Sequence, residues 1–271
     1  GPTDDGNENG VRGSYRNIMM FSNVYANPRR VGDFLLLTAL MNAVPTWLVM
    51  EDNEDNRRVS VLGEGLGIIE FLPRLSHHTE GECPGRGTVI FARRLLDRFG
   101  FQNVSSLPKI KLTEAELCVG RAFMSRVSNP VAIRDIQGYG TERNAPHGLM
   151  QHIVDNNPEY TFVSFGISSN HPSRPHQESS LRNVLILDDL PLRNVAACYA
   201  AIGRYVGVDT GSYHLMLSVG GKCDVWCPPR DNAVGYDHQA LWYPEKDRGE
   251  VLNYIEWTNP SARSIIGLRY T

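Results

Sequence analysis

The stretch YVGVDTGSYHLMLSVGG, residues 205–221, constrains this chain more than any other. It opens as a short apolar run, Tyr205 to Val208, and closes as an apolar helix that ends in glycines. A strand followed at once by a helix is the repeating unit of a parallel α/β sheet. The turn between them lies at the sheet's carboxyl edge, where such folds hold ligands. Asp209 stands at that mouth. Thr210 or Ser212 can cap the helix through a hydroxyl, and Gly211 lets a ligand come close to the backbone. Free N–H groups and the helix dipole favour an anion there, above all a phosphate. His214, one turn further in, can donate to the same anion.

The rest of the chain repeats the α/β rhythm. Arg16–Val24 reads as a first buried strand, and VGDFLLLTALMNAV (31–44) as a helix. Thr46–Met50, Val59–Leu62 and Ile68–Leu72 read as strands, the first of them ended by the polar EDNEDNRR. Thr88–Phe99 is an amphipathic helix stopped by Gly100. A Ser- and Pro-containing stretch near 103–112 reads as a linker. Helices at Glu114–Val127, Gly148–Asn156 and Pro191–Ala201 then alternate with strands at Val131–Ile136, Thr161–Phe165, Val184–Leu187, Tyr205–Val208 and Asp224–Cys227. The expectation is two Rossmann-like α/β/α domains facing a central cleft, over residues 15–105 and 106–250, with 251–271 packing back on the first. Gly1-Pro2 reads as a tag-cleavage remnant, and residues 1–14 as disordered.

Composition narrows the partners. A net charge of −3 gives no sign of the basic face of a duplex-binding protein, although Arg29, Arg30, Arg93 and Arg94 could line a local groove. Arg outnumbers Lys 23 to 4, which suits phosphate and carboxylate recognition. Five scattered cysteines make no zinc-like pair of pairs and read as reduced thiols of a cytoplasmic protein. No apolar run approaches the roughly 18 residues that span a bilayer. His171 and His176 lack a visible third ligand, so no metal is expected. GEGLG (63–67) lacks the spacing of a dinucleotide loop and reads as a turn. Tyr139, Tyr213, Trp226 and Trp242 are the aromatics that could stack on sugar or base, with core packing as the default. Leu190 is placed in the core or a loop in the same way.

Gly32-Asp33 opens the first helix, where a carboxylate is favoured both as a cap and by the dipole. Local chemistry alone leaves a plain capping role open. DTGSYH with its flanking strand and helix resembles the donor-binding motif of the heptosyltransferase-like glycosyltransferases of family 9. RVGDFLLLTALMNAV is similar to that family's first helix, and the two motifs fall in the family's order.

The resemblance implies a GT-B-like fold, here with a reduced N-terminal domain. It also implies inverting, metal-independent sugar transfer from a nucleoside-diphosphate sugar, ADP- or UDP-linked, to an acceptor hydroxyl. It casts Asp33 as general base and Asp209, Thr210, Gly211, Ser212 and His214 as donor ligands. Arg143 stands where the family often carries a lysine, with Thr141 beside it, and Gly166 and Glu178 fall where an acidic residue holds the ribose. The acceptor stays open: a glycan, a lipid-linked glycan, a small molecule, a protein or a modified base in nucleic acid. A non-catalytic nucleotide-sugar-binding module and a partner-binding protein on a transferase scaffold are the rival readings.

Overall fold

The computed structural model describes residues 22–271 apart from 80–81, 84–86, 89–90, 137–142, 147, 167–178, 189 and 260. Residues 1–21, Tyr139, Thr141, His171, His176 and Glu178 therefore lie outside the described residues.

The first half is a three-stranded parallel sheet in the order β1-β2-β3: β1 Ser22–Ala26, β2 Thr46–Glu51 and β3 Ile68–Leu72. Helix α1, Val31–Ala43, joins β1 to β2, and α2, Glu54–Ser60, leads toward β3. A two-stranded pair, β4 Glu82–Cys83 and β5 Gly87–Thr88, precedes α3, Ala92–Arg98. Nine of the 13 residues of α1 are buried, from Val31 to Met41. A helix apolar on all sides needs cover on all sides, and α1 is packed by its own domain and by the second.

The second half begins with α4, Glu114–Met124, and carries β6 Pro130–Arg134, α5 Leu149–Asn156, β7 Thr161–Phe165, β8 Val184–Leu187, α6 Leu192–Ile202, β9 Arg204–Val208, α7 Gly211–Ser218 and β10 Lys222–Cys227. Two one-turn helices, α8 Tyr236–Gln239 and α9 Glu245–Arg248, lead to β11 Leu252–Glu256. The sheet is parallel throughout, in the order β11-β10-β9-β6-β7-β8. This is the doubly wound order, and its switch point falls between β6 and β9, where a crevice opens at the carboxyl ends of the strands.

The halves share one hydrophobic core. Leu35, Leu36 and Leu40 of α1 belong to the same buried cluster as Leu215 and Met216 of α7 and Tyr199 of α6. The linker is bonded to both helices: the Lys109 N–H donates to Thr38 Oγ1 at 3.0 Å, and the Ile110 N–H to the Ser218 carbonyl at 3.0 Å. Arg193 of α6 closes the joint. Its Nε and Nη2 donate to Glu116 at 2.5 and 2.8 Å, Nη1 to the Val61 carbonyl at 2.9 Å, and Nη2 also to the Lys111 carbonyl at 2.7 Å. The bidentate pair holds the Glu116 carboxyl down at about 2.

Four sequence expectations need correction. The described residues of 251–271 pack chiefly on the second domain, not back on the first. β11 extends the six-stranded sheet, and Ile266 and Leu268 pack with Ile133 and Ile153 of the second domain. Asp224, fully buried, holds the tail there by accepting from Ser264 Oγ, the Ile265 N–H and the Tyr270 hydroxyl. The chain that does return is 236–248: Asp247 accepts from Arg93 Nη1 at 3.2 Å and Ser106 Oγ at 2.7 Å. Second, the polar run that ends β2 also starts a helix: its last five residues, from Glu54, open α2, capped by Asn53, whose side chain accepts from the Asn56 N–H. Third, Val59–Leu62 continues that helix into a 3-10 turn and forms no strand. Fourth, Arg93 is not available to line a groove with Arg29, Arg30 and Arg94. Arg93 is buried and donates to the Phe101 and Val104 carbonyls, Arg94 lies over Phe91, and Arg29 pairs with Asp55.

Candidate active site

The site forms where the first turns of α1 and α7 meet. A Cβ on Gly32 would lie 3.0 Å from His214 Cδ2, and one on Gly211 would lie 3.2 Å from Val31 Cβ and 3.3 Å from the Gly32 nitrogen. Two glycines thus let the helix starts touch, backbone against backbone, with no side chain between them.

On the α1 side, the loop entering the helix is fixed by buried Asn56. Its Nδ2 donates to Asn27 Oδ1 and the Glu51 carbonyl, both at 2.7 Å, and its Oδ1 accepts from the Arg29 N–H at 2.8 Å. Arg29 takes a positive φ of 57°, which aims the chain into the helix. Asp33 follows in the first turn, enclosed yet partly open to solvent. Burial raises its carboxyl to about 7. Arg30 and Arg143 oppose that rise, and the Asp209 carboxylate adds to it.

On the α7 side, Thr210 is the N-cap, accepting from the Ser212 N–H at 3.2 Å. The Tyr205 hydroxyl, buried beneath, donates to the Val208 carbonyl at 2.9 Å and steadies the strand end. Asp209 is buried; its Oδ2 accepts from Arg143 Nη1 at 2.6 Å, and its Oδ1 faces His214 Nε2 at 4.0 Å. His214 is buried too, with Nδ1 2.6 Å from the Tyr243 hydroxyl and its ring against Tyr213 at 4.0 Å. Burial lowers its imidazole to about 4, so it is neutral at physiological pH. The Arg143 Nε is buried and has no hydrogen-bond partner among the described residues.

The structure therefore gathers Asp33, Asp209, Thr210, Gly211, His214 and Arg143 around one point. Ser212 is buried against the Tyr199 phenol, away from the mouth. Gly166 lies two strands away, where its N–H extends the β7–β8 ladder to the Leu187 carbonyl at 3.2 Å. Leu190 packs on the shared core, and Trp226 is buried, edge-on to Tyr270. Trp242 does border the site, stacked on Phe91 and edge-on to His214.

Sequence reasoning missed His238 and Tyr243. Half-buried His238 is lowered by burial, and then by the nearby Arg143 charge, with Asp209 opposing. Both residues sit in a polar return segment with no periodicity to mark it. Among the described residues no group of three or more His, Cys, Asp or Glu side chains is placed to hold a metal ion.

The chemistry at this point is anion binding next to a proton acceptor. Arg143, the His214 imidazole and the α7 N–H groups can meet a phosphate. The Asp33 carboxyl, at about 7, can take a proton near neutral pH. A separate groove of about 760 Å³, lined by Asn42, Leu107, Lys109 and Val219, opens at the far end of α1. At 1.5 Å rise per residue that end is roughly 15 Å from Asp33, too far to take part.

No protein-family model matches the sequence, and no curated protein is similar to it at the sequence level. Several solved structures share its shape, two of them as follows. One is a family 9 glycosyltransferase from Veillonella parvula, 13% identical, matched over 86% of this chain and 85% of its own, with a TM-score of 0.51. The other is the E. coli ADP-heptose lipopolysaccharide heptosyltransferase II, 13% identical over 87% of this chain and 90% of its own, with a TM-score of 0.54. At that identity the likeness concerns the fold: this chain has the GT-B-like arrangement of two α/β domains built on parallel sheets, the first sheet showing three strands among the described residues.

Proposed function

We propose that the protein is an inverting glycosyltransferase. It moves a sugar from a nucleoside-diphosphate sugar, ADP- or UDP-linked, to an acceptor hydroxyl without a metal ion, and Asp33 is the base. The observation that carries this is the pairing of Asp33, raised to about 7, with the Asp209–Arg143–His214 cluster across a glycine–glycine contact. The fold shared with two glycosyltransferases, one named for ADP-heptose, supports the donor class.

The acceptor O–H gives its proton to an Asp33 oxygen as the oxygen attacks the anomeric carbon. The bond from that carbon to the diphosphate breaks on the opposite face, which inverts the configuration. The leaving diphosphate keeps the electron pair. Its charge meets Arg143, whose Nε has no partner among the described residues, the His214 imidazole, and the first N–H groups of α7. Asp209 holds Arg143 in place.

The test is a thermal-shift panel of nucleoside diphosphates and nucleotide sugars. One base class is expected to raise the melting temperature by several degrees, following its affinity. A panel with no shift at millimolar ligand overturns the donor reading. Binding without turnover would leave the non-catalytic module instead.

A further inference from the structure

We infer that Tyr243 is a positioning residue for the donor site: its hydroxyl donates to His214 Nδ1 and thereby fixes the imidazole tautomer that presents Nε2–H to the diphosphate. This rests on the donor reading above and concerns a residue outside both sequence motifs.

Three observations lead there. Tyr243 and His214 are both buried, and their polar atoms meet at 2.6 Å. Among the described residues the Tyr243 hydroxyl has no other hydrogen-bond partner. If His214 donated from Nδ1 instead, the phenol proton would be left in the core without an acceptor, which is costly. Moreover, Nε2 looks toward Asp209 Oδ1 at 4.0 Å. A bare Nε2 would set a lone pair against a carboxylate; a protonated Nε2 faces it with the favourable sign. Both ends of the ring select the same tautomer.

The ring is held in plane as well. Tyr213 lies against one side at 4.0 Å, and Trp242 meets it edge-on at 6.5 Å. The segment that delivers Tyr243 is itself anchored in the first domain, through Asp247 to Arg93 and Ser106, and through Trp242 stacked on Phe91. The first domain therefore steers a donor-site side chain through this strap.

Nitrogen-15 NMR of the free wild-type protein reads the tautomer directly, with His214→Gln identifying the resonances. The expected spectrum has Nδ1 unprotonated and Nε2 protonated near neutral pH; the reverse assignment overturns the inference. Calorimetry with ADP and UDP on wild type, Tyr243→Phe and Tyr254→Phe reads the consequence. Tyr254 is a matched control: its phenol is also buried and bonded to another hydroxyl, that of Tyr213, at 3.1 Å. Tyr243→Phe is expected to mix the tautomers and weaken the bound diphosphate about tenfold, with Tyr254→Phe unchanged. Equal weakening in both variants, or none in Tyr243→Phe, overturns the positioning role. Wild type that binds neither nucleotide but shows the stated tautomer sinks the donor reading and the positioning role with it, while the hydrogen-bond assignment stands.

Discussion

The two halves of the molecule each bring an aspartate to the same contact, and they treat it differently. The six-stranded half sets Asp209 at its switch point and neutralises it with Arg143 at 2.6 Å. The three-stranded half sets Asp33 in a helix start where, among the described residues, Arg30 and Arg143 act on it through their charge, and burial still drives its carboxyl up to about 7. One carboxylate is spent on holding a cation; the other is left able to accept a proton. The same residue type becomes structural or reactive according to what its half of the molecule places beside it.

Substitutions can break this contrast, and the largest effect should come from Asp33. Asp33→Asn is expected to lower turnover about a thousandfold in a product assay, with nucleotide affinity within a few-fold of wild type. Next is Arg143→Ala, which removes the cation from the donor side. Diphosphate affinity should fall roughly a hundredfold by calorimetry. Stability should drop by about 3 kcal/mol in urea unfolding, because Asp209 is left buried and unpaired. Adding Asp209→Asn should recover most of the stability and none of the affinity. Gly32→Ala pushes the halves apart, since its Cβ would sit 3.0 Å from His214. About tenfold slower turnover is expected, measured at saturating donor, through misplacement of the reacting groups.

Two smaller effects sharpen the comparison through pH. Folding raises the Asp33 pKa, so the folded state holds its proton more tightly than the unfolded chain. Stability should therefore fall as pH rises from about 4 to about 7, and stay lower above that. Asp33→Asn removes this cost and should melt roughly 3–6 °C higher than wild type at pH 8 and at the same temperature near pH 4, corresponding to about 2 kcal/mol once partial solvation is counted. Glu116 has the opposite sign. Arg193 lowers its carboxyl from 4.5 to about 2, so its contribution is present above 4.5 and is lost as pH falls through about 2. Arg193→Ala should cost about 1–2 kcal/mol more in urea unfolding at pH 7 than at pH 2, where only its bonds to the Val61 and Lys111 carbonyls are lost.

The six-stranded half was legible because its signals are local. An apolar strand, Asp209, the Thr210 cap and an apolar helix follow one another in 17 residues, and each leaves a mark in residue type. The Gly32-Asp33 turn was legible for the same reason. The elements that were missed are held by tertiary contacts. Helix α2 buries Asp55 and Asn56, polar residues that a hydrophobic period cannot reveal. β11 takes its place from β10 and from the Asp224 cluster 28 residues before its start. Tyr243 and His238 reach the site only because Asp247 and Trp242 fold their segment onto α3.

The central claim is that Asp33 activates an acceptor against a donor held by the other half. The most direct measurement follows nucleoside diphosphate release from the bound donor in wild type and Asp33→Asn, at pH 6 to 9. The account predicts that both proteins bind the donor, that only wild type releases diphosphate at a substantial rate, and that its rate rises through about pH 7 to a plateau. Equal release by both proteins, or a wild-type rate flat across that pH range, would contradict it.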